Sequence, residues 1–518
     1  MPFFDFHCHP GLKPQFSDPV NKPSPWDEIE ARLQVSKDTS ISINKLFNEV
    51  LNSQSCLTQL VNGDVKLIGV ILHALEQKIG FALSKKRIVN NGSVKLINPG
   101  QLAYLSAGTH SFELINTELQ SLKDASSPAA LGGASFEIIN AATDFDETNP
   151  KKTYGVIIVE GLHCFFNDPQ APDAEAVYMQ NFEKFTSENT VLAINLCHMQ
   201  QNIFCNHAYG IQFFKDDDFF PTGFSITARG KAMIEAMAAK NILTDIKHMS
   251  LKARIDLYNM LQDPADSNKF IRPLICTHAG TTGLSIKERV KYLNNSPTDM
   301  GNYYEVVYLK PKSKHDRATY HNCSSINLYD EDIRNILLSG GIIGLSFDQR
   351  ILGFADENVI PDLTTPHDVE YISKQEAKFF LGNNPEGLDV WTDDEAIWLD
   401  EDFANLEVSL YEEMHRRFLI NNIIHILVVA NNIPEIGVAK AMQQICLGTD
   451  FDGLINAIDC CKQTTGLHQL KIDMFEEMEL MLHTEGLGNV DTAALLENIF
   501  YSNGKNFMLN RLKIMNPA

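Results

Sequence analysis

Six apolar stretches, scattered over 518 residues, all end on a metal-binding or acid/base side chain. FFDFHCH closes on His7 and His9, and YGVIIVE (154–160) on Glu160. TVLAINLCH (190–198), ILTDIKH (242–248) and RPLICTH (272–278) close on His198, His248 and His278, and QQICLGTD (443–450) on Asp450. Runs of Val, Ile and Leu this continuous read as strands buried on both faces. Helix-forming stretches separate several of them, at 173–189, 227–241, 251–261 and 330–341, and GIIGLSF (341–347) adds another strand. Strand–helix alternation of this kind builds a parallel sheet covered by helices. The repeats suffice for an α/β fold of the (β/α)8 TIM-barrel type, with strand two expected within 95–145; a doubly wound sheet fits the same pattern. In a barrel, all strand C-termini meet on one face around one cavity.

The residue types at those ends suit one chemistry. His7 and His9 are two apart on a strand, so their side chains point the same way. A lone histidine at a strand end more often satisfies a core hydrogen bond, and Asp450 alone would read as a helix cap. Together they form a donor set of neutral imidazoles and carboxylates that suits zinc and its neighbours. A carboxylate bridging two such ions makes a shared water acidic near neutral pH. Asp450 is then placed to move that water's proton to a leaving amine, and His198 to polarise a substrate carbonyl.

Bulk properties narrow the partners. With 43 basic against 66 acidic residues the net charge is −23, which argues against binding to nucleic acid or an anionic membrane. Ten cysteines lie mostly in apolar stretches without a CxxC pair, as expected of buried free thiols in a reducing compartment. No apolar stretch reaches transmembrane length and no leader is visible, so a cytoplasmic protein is expected. A single domain over 1–518 would carry excursions in part of 10–150, at 285–325 and at 353–440. The last includes an acidic run at 393–402 and, from 403 to 432, a long helical pattern.

Several motifs resemble the membrane dipeptidase (renal dipeptidase-like) family of the amidohydrolase superfamily. They are FHCH (6–9), VEG (159–161), LCHMQQN (196–202), GFSITARGKAMIEAMAAKNILTDIKHMS (223–250), CTHAG (276–280), LGTDFDG (447–453) and DTAALLENIFYSNGKNF (491–507). The resemblance implies a (β/α)8 barrel with two divalent metal ions, expected to be zinc, that hydrolyses dipeptides or related small amides, and it hints at a homodimer. By position, His7, His9 and Glu160 would hold one ion, and Glu160, His248 and His278 the other. His198 would bind the substrate carbonyl, and Asp450 would be the acid/base. The chain also departs from the family pattern. His9 stands where the family has Asp, Lys247 where it has Ser, and Ile326 where it has the Arg that binds the substrate carboxylate. Arg350, or a basic residue from 285–325, is a candidate replacement for that clamp. Its loss keeps open another amidohydrolase substrate (an N-acyl amino acid, a cyclic amide or a lactone). An inactive member serving as a binding or scaffold protein is a further alternative. His163 is expected to make a loop hydrogen bond, His207 to stand behind the site, and Cys8 to pack in the core.

Overall fold

The computed structural model describes residues 2–30, 49–85, 96–169, 171, 173–210, 219–293, 297–316, 319–354, 367–381 and 408–517. Eight parallel strands form the central sheet: β1 (Phe3–Cys8), β2 (Val65–Leu72), β3 (Lys152–Val159), β4 (Val191–Asn195), β5 (Leu243–Asp245), β6 (Ile275–Ala279), β7 (Ile342–Leu345) and β8 (Ile445–Leu447). They follow one another around the sheet in chain order. β8 returns to β1: Cys8 bridges Phe451 in parallel register, and the Asp450 amide donates to the His7 carbonyl at 2.8 Å. Thr449 Oγ1 also donates to Asp5 Oδ2 at 2.5 Å. The sheet is thus a nearly closed barrel with helices between its strands, the TIM-barrel architecture, and not a doubly wound sheet.

Strand two is Val65–Leu72 and does not lie within 95–145. VKLIGVIL is buried at every position, as a strand covered on both faces must be. The stretch 95–145 instead holds helices Pro99–Ser106 and Ser111–Lys123 and a short, half-exposed strand, Ser135–Ile138, parallel to the start of β3. One core cluster joins Phe4, Phe6 and Tyr154 of the strands to Tyr501, Met508 and Leu512 near the C-terminus. Cys8 packs in the larger strand–helix core, as expected from strand alternation.

The excursions at 285–325 and 353–440 meet each other. Tyr303–Leu309 pairs antiparallel with His367–Ser373, and Thr298–Asp299 adds a short third strand. Just past this ribbon, Glu376 Oε1 accepts from Asn206 Nδ2 at 2.9 Å, Ser225 N at 2.6 Å and Ser250 Oγ at 2.8 Å. One buried carboxylate thereby ties the loops after β4 and β5 together, two residues from His248. The long helical pattern is helix Val408–Asn431; the acidic run at 393–402, with 355–366 and 382–407, lies outside the described residues. All ten cysteines are unpaired. Among the described residues no helix is long and apolar enough to cross a membrane.

Candidate metal centre

Backbone geometry aims the strand-end residues. His248 and Asp450 follow β5 and β8 with φ of 69° and 65°, in the left-handed region that non-glycine residues avoid. Strain of this kind, on the order of 1–3 kcal/mol per residue, persists where the surroundings hold it, and it clusters at functional sites. Gly161, after Glu160, has φ +98°, and a Cβ there would sit 2.3 Å from His163 Nδ1. Only glycine lets the chain turn sharply enough to leave Glu160 at the strand end.

The structure brings seven of the eight sequence-predicted site residues together. His7 Nε2 lies 3.2 Å from His9 Nε2 and 3.5 Å from Glu160 Oε1, and His9 Nε2 lies 3.6 Å from Glu160 Oε2. On the other side, Glu160 Oε1 is 3.1 Å from His248 Nε2 and 3.8 Å from His278 Nε2. Each triad, His7–His9–Glu160 and Glu160–His248–His278, offers three donor atoms within 4.8 Å of one another. Asp450 Oδ1 stands 3.2 Å from His9 Nε2 and Oδ2 3.9 Å from His278 Nε2. His198 Nε2 is 3.7 Å from Glu160 Oε2. Glu160 is the shared centre.

The donor set and its hydrogen bonds are compatible with a cation. Thr277 Oγ1 donates to Asp245 Oδ2 at 2.5 Å, so it accepts from His7 Nδ1 at 2.8 Å. A neutral His7 then carries its proton on Nδ1 and turns the bare lone pair of Nε2 toward His9 and Glu160. Bare nitrogens and carboxylate oxygens 3.2–3.6 Å apart repel unless a proton or cation lies between them. Burial and neighbouring positive charge hold His7, His248 and His278 well below ordinary histidine basicity, and burial does the same to His9. Few protons therefore compete with a metal for these imidazoles. Burial, then the charges of Asp450 and Glu76, push Glu160 well above the carboxylate range. Burial, then Asp348, pushes Asp450 up too. Two carboxylates crowded this way call for positive charge, because each unneutralised buried ion costs on the order of several kcal/mol.

The Asp245–Thr277–His7 chain is a support of the kind that fixes a ligating histidine's tautomer. Thr277→Val keeps the shape and removes the acceptor. The expected result is a loss of roughly 10- to 100-fold in metal affinity with the fold intact, measured by competition with a chelator. Unchanged affinity would mean that Thr277 does not orient His7.

The substrate-binding candidates fare differently. Arg350 follows β7, and its guanidinium is engaged in a two-pronged pair with Asp348, Nε at 2.9–3.0 Å and Nη2 at 2.5 Å. Ile326 is buried in a small apolar cluster with Ala208 and Ile351. Lys247 is buried with no partner for Nζ among the described residues. Burial lowers its basicity against the opposing charges of Cys276, Asp450, Asp348 and Asp245. It therefore stands among the site's carboxylates and is not turned to solvent. His163 donates through Nε2 to the Ala74 carbonyl at 2.7 Å, a loop contact, and His207 Nε2 donates to the Phe219 carbonyl at 2.9 Å.

Two residues that sequence reasoning missed reach the site from the end of β2. His73 Nδ1 is 3.9 Å from Glu160 Oε2, and Glu76 Oε1 is 2.6 Å from His198 Nδ1. Their signal was present: VKLIGVILHALE is an apolar run followed by His73 and Glu76, the same signature as the other strand ends.

No protein-family model matches the sequence, and neither does any curated protein. Solved structures do match. Dipeptidase AC, a metallopeptidase of peptidase family M19, superimposes with a TM-score of 0.51 at 13% identity, covering 100% of this chain and 99% of that one. A metallopeptidase from Rhodobacter sphaeroides, solved with a phosphinate mimic of the dipeptide L-Ala-D-Ala, gives 0.50 at 13% identity over 99% of each chain. The probable dipeptidase PvdM from Pseudomonas aeruginosa gives 0.51 at 13% identity, covering 99% of this chain and 96% of that one. The chain thus has, over essentially its whole length, the fold of the membrane dipeptidase-like metallopeptidases that its sequence motifs resemble.

Proposed function

We propose that this protein is a metal-dependent hydrolase with a binuclear centre, acting on dipeptides or related small amides. The observation that carries the proposal is the pair of donor triads meeting at Glu160. His7, His9 and Glu160 would hold one divalent ion, and Glu160, His248 and His278 the second; zinc suits this nitrogen-rich donor set. Bound there, such ions polarise a substrate oxygen and lower the pKa of water to near neutrality. The matched structures support the substrate class, since they are described as a dipeptidase, a probable dipeptidase and a metallopeptidase holding a dipeptide mimic.

The chain's own residues supply the remaining chemistry. Asp450 reaches both donor triads, Oδ1 3.2 Å from His9 Nε2 and Oδ2 3.9 Å from His278 Nε2. It takes a proton from the attacking water and delivers it to the leaving amine nitrogen. His198 faces the same space through Nε2 while Glu76 Oε1 accepts from its Nδ1 at 2.6 Å, and in its imidazolium form it donates through Nε2 to the substrate carbonyl oxygen as negative charge develops there.

Ile326 and the Asp348-engaged Arg350 favour a second substrate reading. An Arg fork is the natural binder of a terminal carboxylate, and neither position offers one here. An N-acyl amino acid, cyclic amide or lactone places a different demand on the pocket. The test is a turnover screen of the metal-loaded protein against dipeptides, including those with a C-terminal D-residue, beside the alternative substrates. Dipeptide hydrolysis is expected. Turnover of only the others would replace the substrate class, and no turnover of any by a metal-loaded protein would overturn the hydrolase.

A further inference from the structure

We infer that the ribbon built from the two excursions sets the affinity of the second ion, with Glu376 as the positioning residue that holds His248 in place. The inference rests on the binuclear reading proposed above.

His248 needs holding. It follows β5 with φ of 69°, where a residue with a Cβ is strained. Of the four triad histidines it comes nearest to Glu160, Nε2 to Oε1 at 3.1 Å. The loop after β4 grips its main chain. The Ala208 amide donates to the His248 carbonyl at 2.8 Å, and the Ser250 amide donates to the Asn206 carbonyl at 3.0 Å. Between these bonds His207 and Met249 pair in antiparallel register. Segment 248–250 is thus laid against segment 206–208 by two rungs of ladder. Two strands this short hold together poorly by themselves.

Glu376 closes the ladder. Its Oε1 accepts from Asn206 Nδ2 at 2.9 Å and from Ser250 Oγ at 2.8 Å, the two partners of the second rung. It also accepts from the Ser225 amide at 2.6 Å, and the Ser225 carbonyl accepts from the Asn206 amide at 2.9 Å. The Ser250 hydroxyl in turn accepts from the Ala253 amide at 3.3 Å, as the N-cap of helix Leu251–Leu261. One oxygen therefore fixes both sides of the rung beside His248 and the start of the helix that follows. Glu376 is buried, so water does not readily take its place.

The ribbon, in turn, holds Glu376. Its amide donates to the Ser373 carbonyl at 3.0 Å, at the end of the strand His367–Ser373. The next turn, Ala377–Phe380, shares a core cluster with Leu251, Val306 and Ile372. The first triad leans on other supports: His7 on Thr277, and the His9 amide on the Phe451 carbonyl at 2.9 Å. An arm outside the barrel thus bears on the second ion and not on the first.

The test isolates each ion site in the full-length protein. His9→Ala leaves the triad of Glu160, His248 and His278 complete, and His278→Ala leaves the triad of His7, His9 and Glu160 complete. Glu376→Ala is added to each, and zinc affinity is measured by competition with a chelator. The expected result is a loss of roughly 10- to 100-fold in the His9→Ala protein, the range for a lost support behind a ligand, with no change in the His278→Ala protein. Glu376→Gln is expected to restore the affinity, because its amide oxygen can accept the same bonds. Asn206→Ala is the second variant, in case Glu376→Ala does not fold. In the metal-free protein, the Ala208 and Ser250 amides should exchange hydrogen roughly tenfold faster in Glu376→Ala, the effect of weakening about one hydrogen bond. An equal loss of zinc in both backgrounds would make Glu376 a general structural support and overturn the inference. Unchanged affinity in both, or unchanged exchange at Ala208 and Ser250, would overturn it and leave the binuclear centre standing. No zinc in the His9→Ala parent would overturn the second ion itself, and this inference with it.

Discussion

Glu160→Ala is expected to remove both ions of the binuclear centre and with them all measurable turnover, while the barrel stays folded. Glu160 is the only residue common to the two donor triads, and its oxygens reach His7, His9, His248 and His278 at 3.1–3.8 Å. Removing any other donor weakens one triad; removing Glu160 takes one ligand from each and the negative charge from both. The fold should survive, because Glu160 sits past the end of β3 and is itself a buried carboxylate pushed up by burial and the charge of Asp450. Metal content by elemental analysis and unfolding by circular dichroism separate the two effects. A variant that keeps both ions would show that Glu160 is not the bridge, and one that loses its fold would show that its role is structural.

Asp450→Asn is expected to keep both ions and lower kcat by roughly 10²- to 10⁴-fold, the range for a lost general acid/base. The amide preserves the shape and one oxygen, but it cannot take up a proton near neutral pH. Asp450 is placed by its left-handed backbone and by the hydrogen bond from its amide to the His7 carbonyl, 2.8 Å. Neither depends on the carboxylate, so the side chain should stay where it is. With chemistry slowed and ground-state contacts kept, KM should change far less than kcat. Full activity in this variant would remove Asp450 from the acid/base role.

The strand ends were legible because barrel strands are covered on both faces. Seven of the eight strands stand out as near-unbroken apolar runs, and polar groups collect where those runs stop. The same rule applied to VKLIGVIL would have placed β2 and exposed His73 and Glu76, but that run lies within a stretch read as excursion. What supports the site was not legible. Asp245 and Thr277 are ordinary polar residues in two strands, and only the barrel's closure places them in line with His7. Arg350 looks available in the sequence, yet Asp348 two residues earlier takes its guanidinium through the turn after β7. Glu376 is one acid among 66 acidic residues until the ribbon lays it across the loops after β4 and β5. Contacts between distant segments set these roles, and local pattern carries no trace of them.

The most direct test of the binuclear centre is a crystal structure of the zinc-reconstituted protein with anomalous data at the zinc edge. The account predicts two anomalous peaks about 3.5–4 Å apart, both in contact with Glu160. One should lie against His7 and His9, the other against His248 and His278. A single peak at Glu160, or none while zinc binds elsewhere, would contradict it.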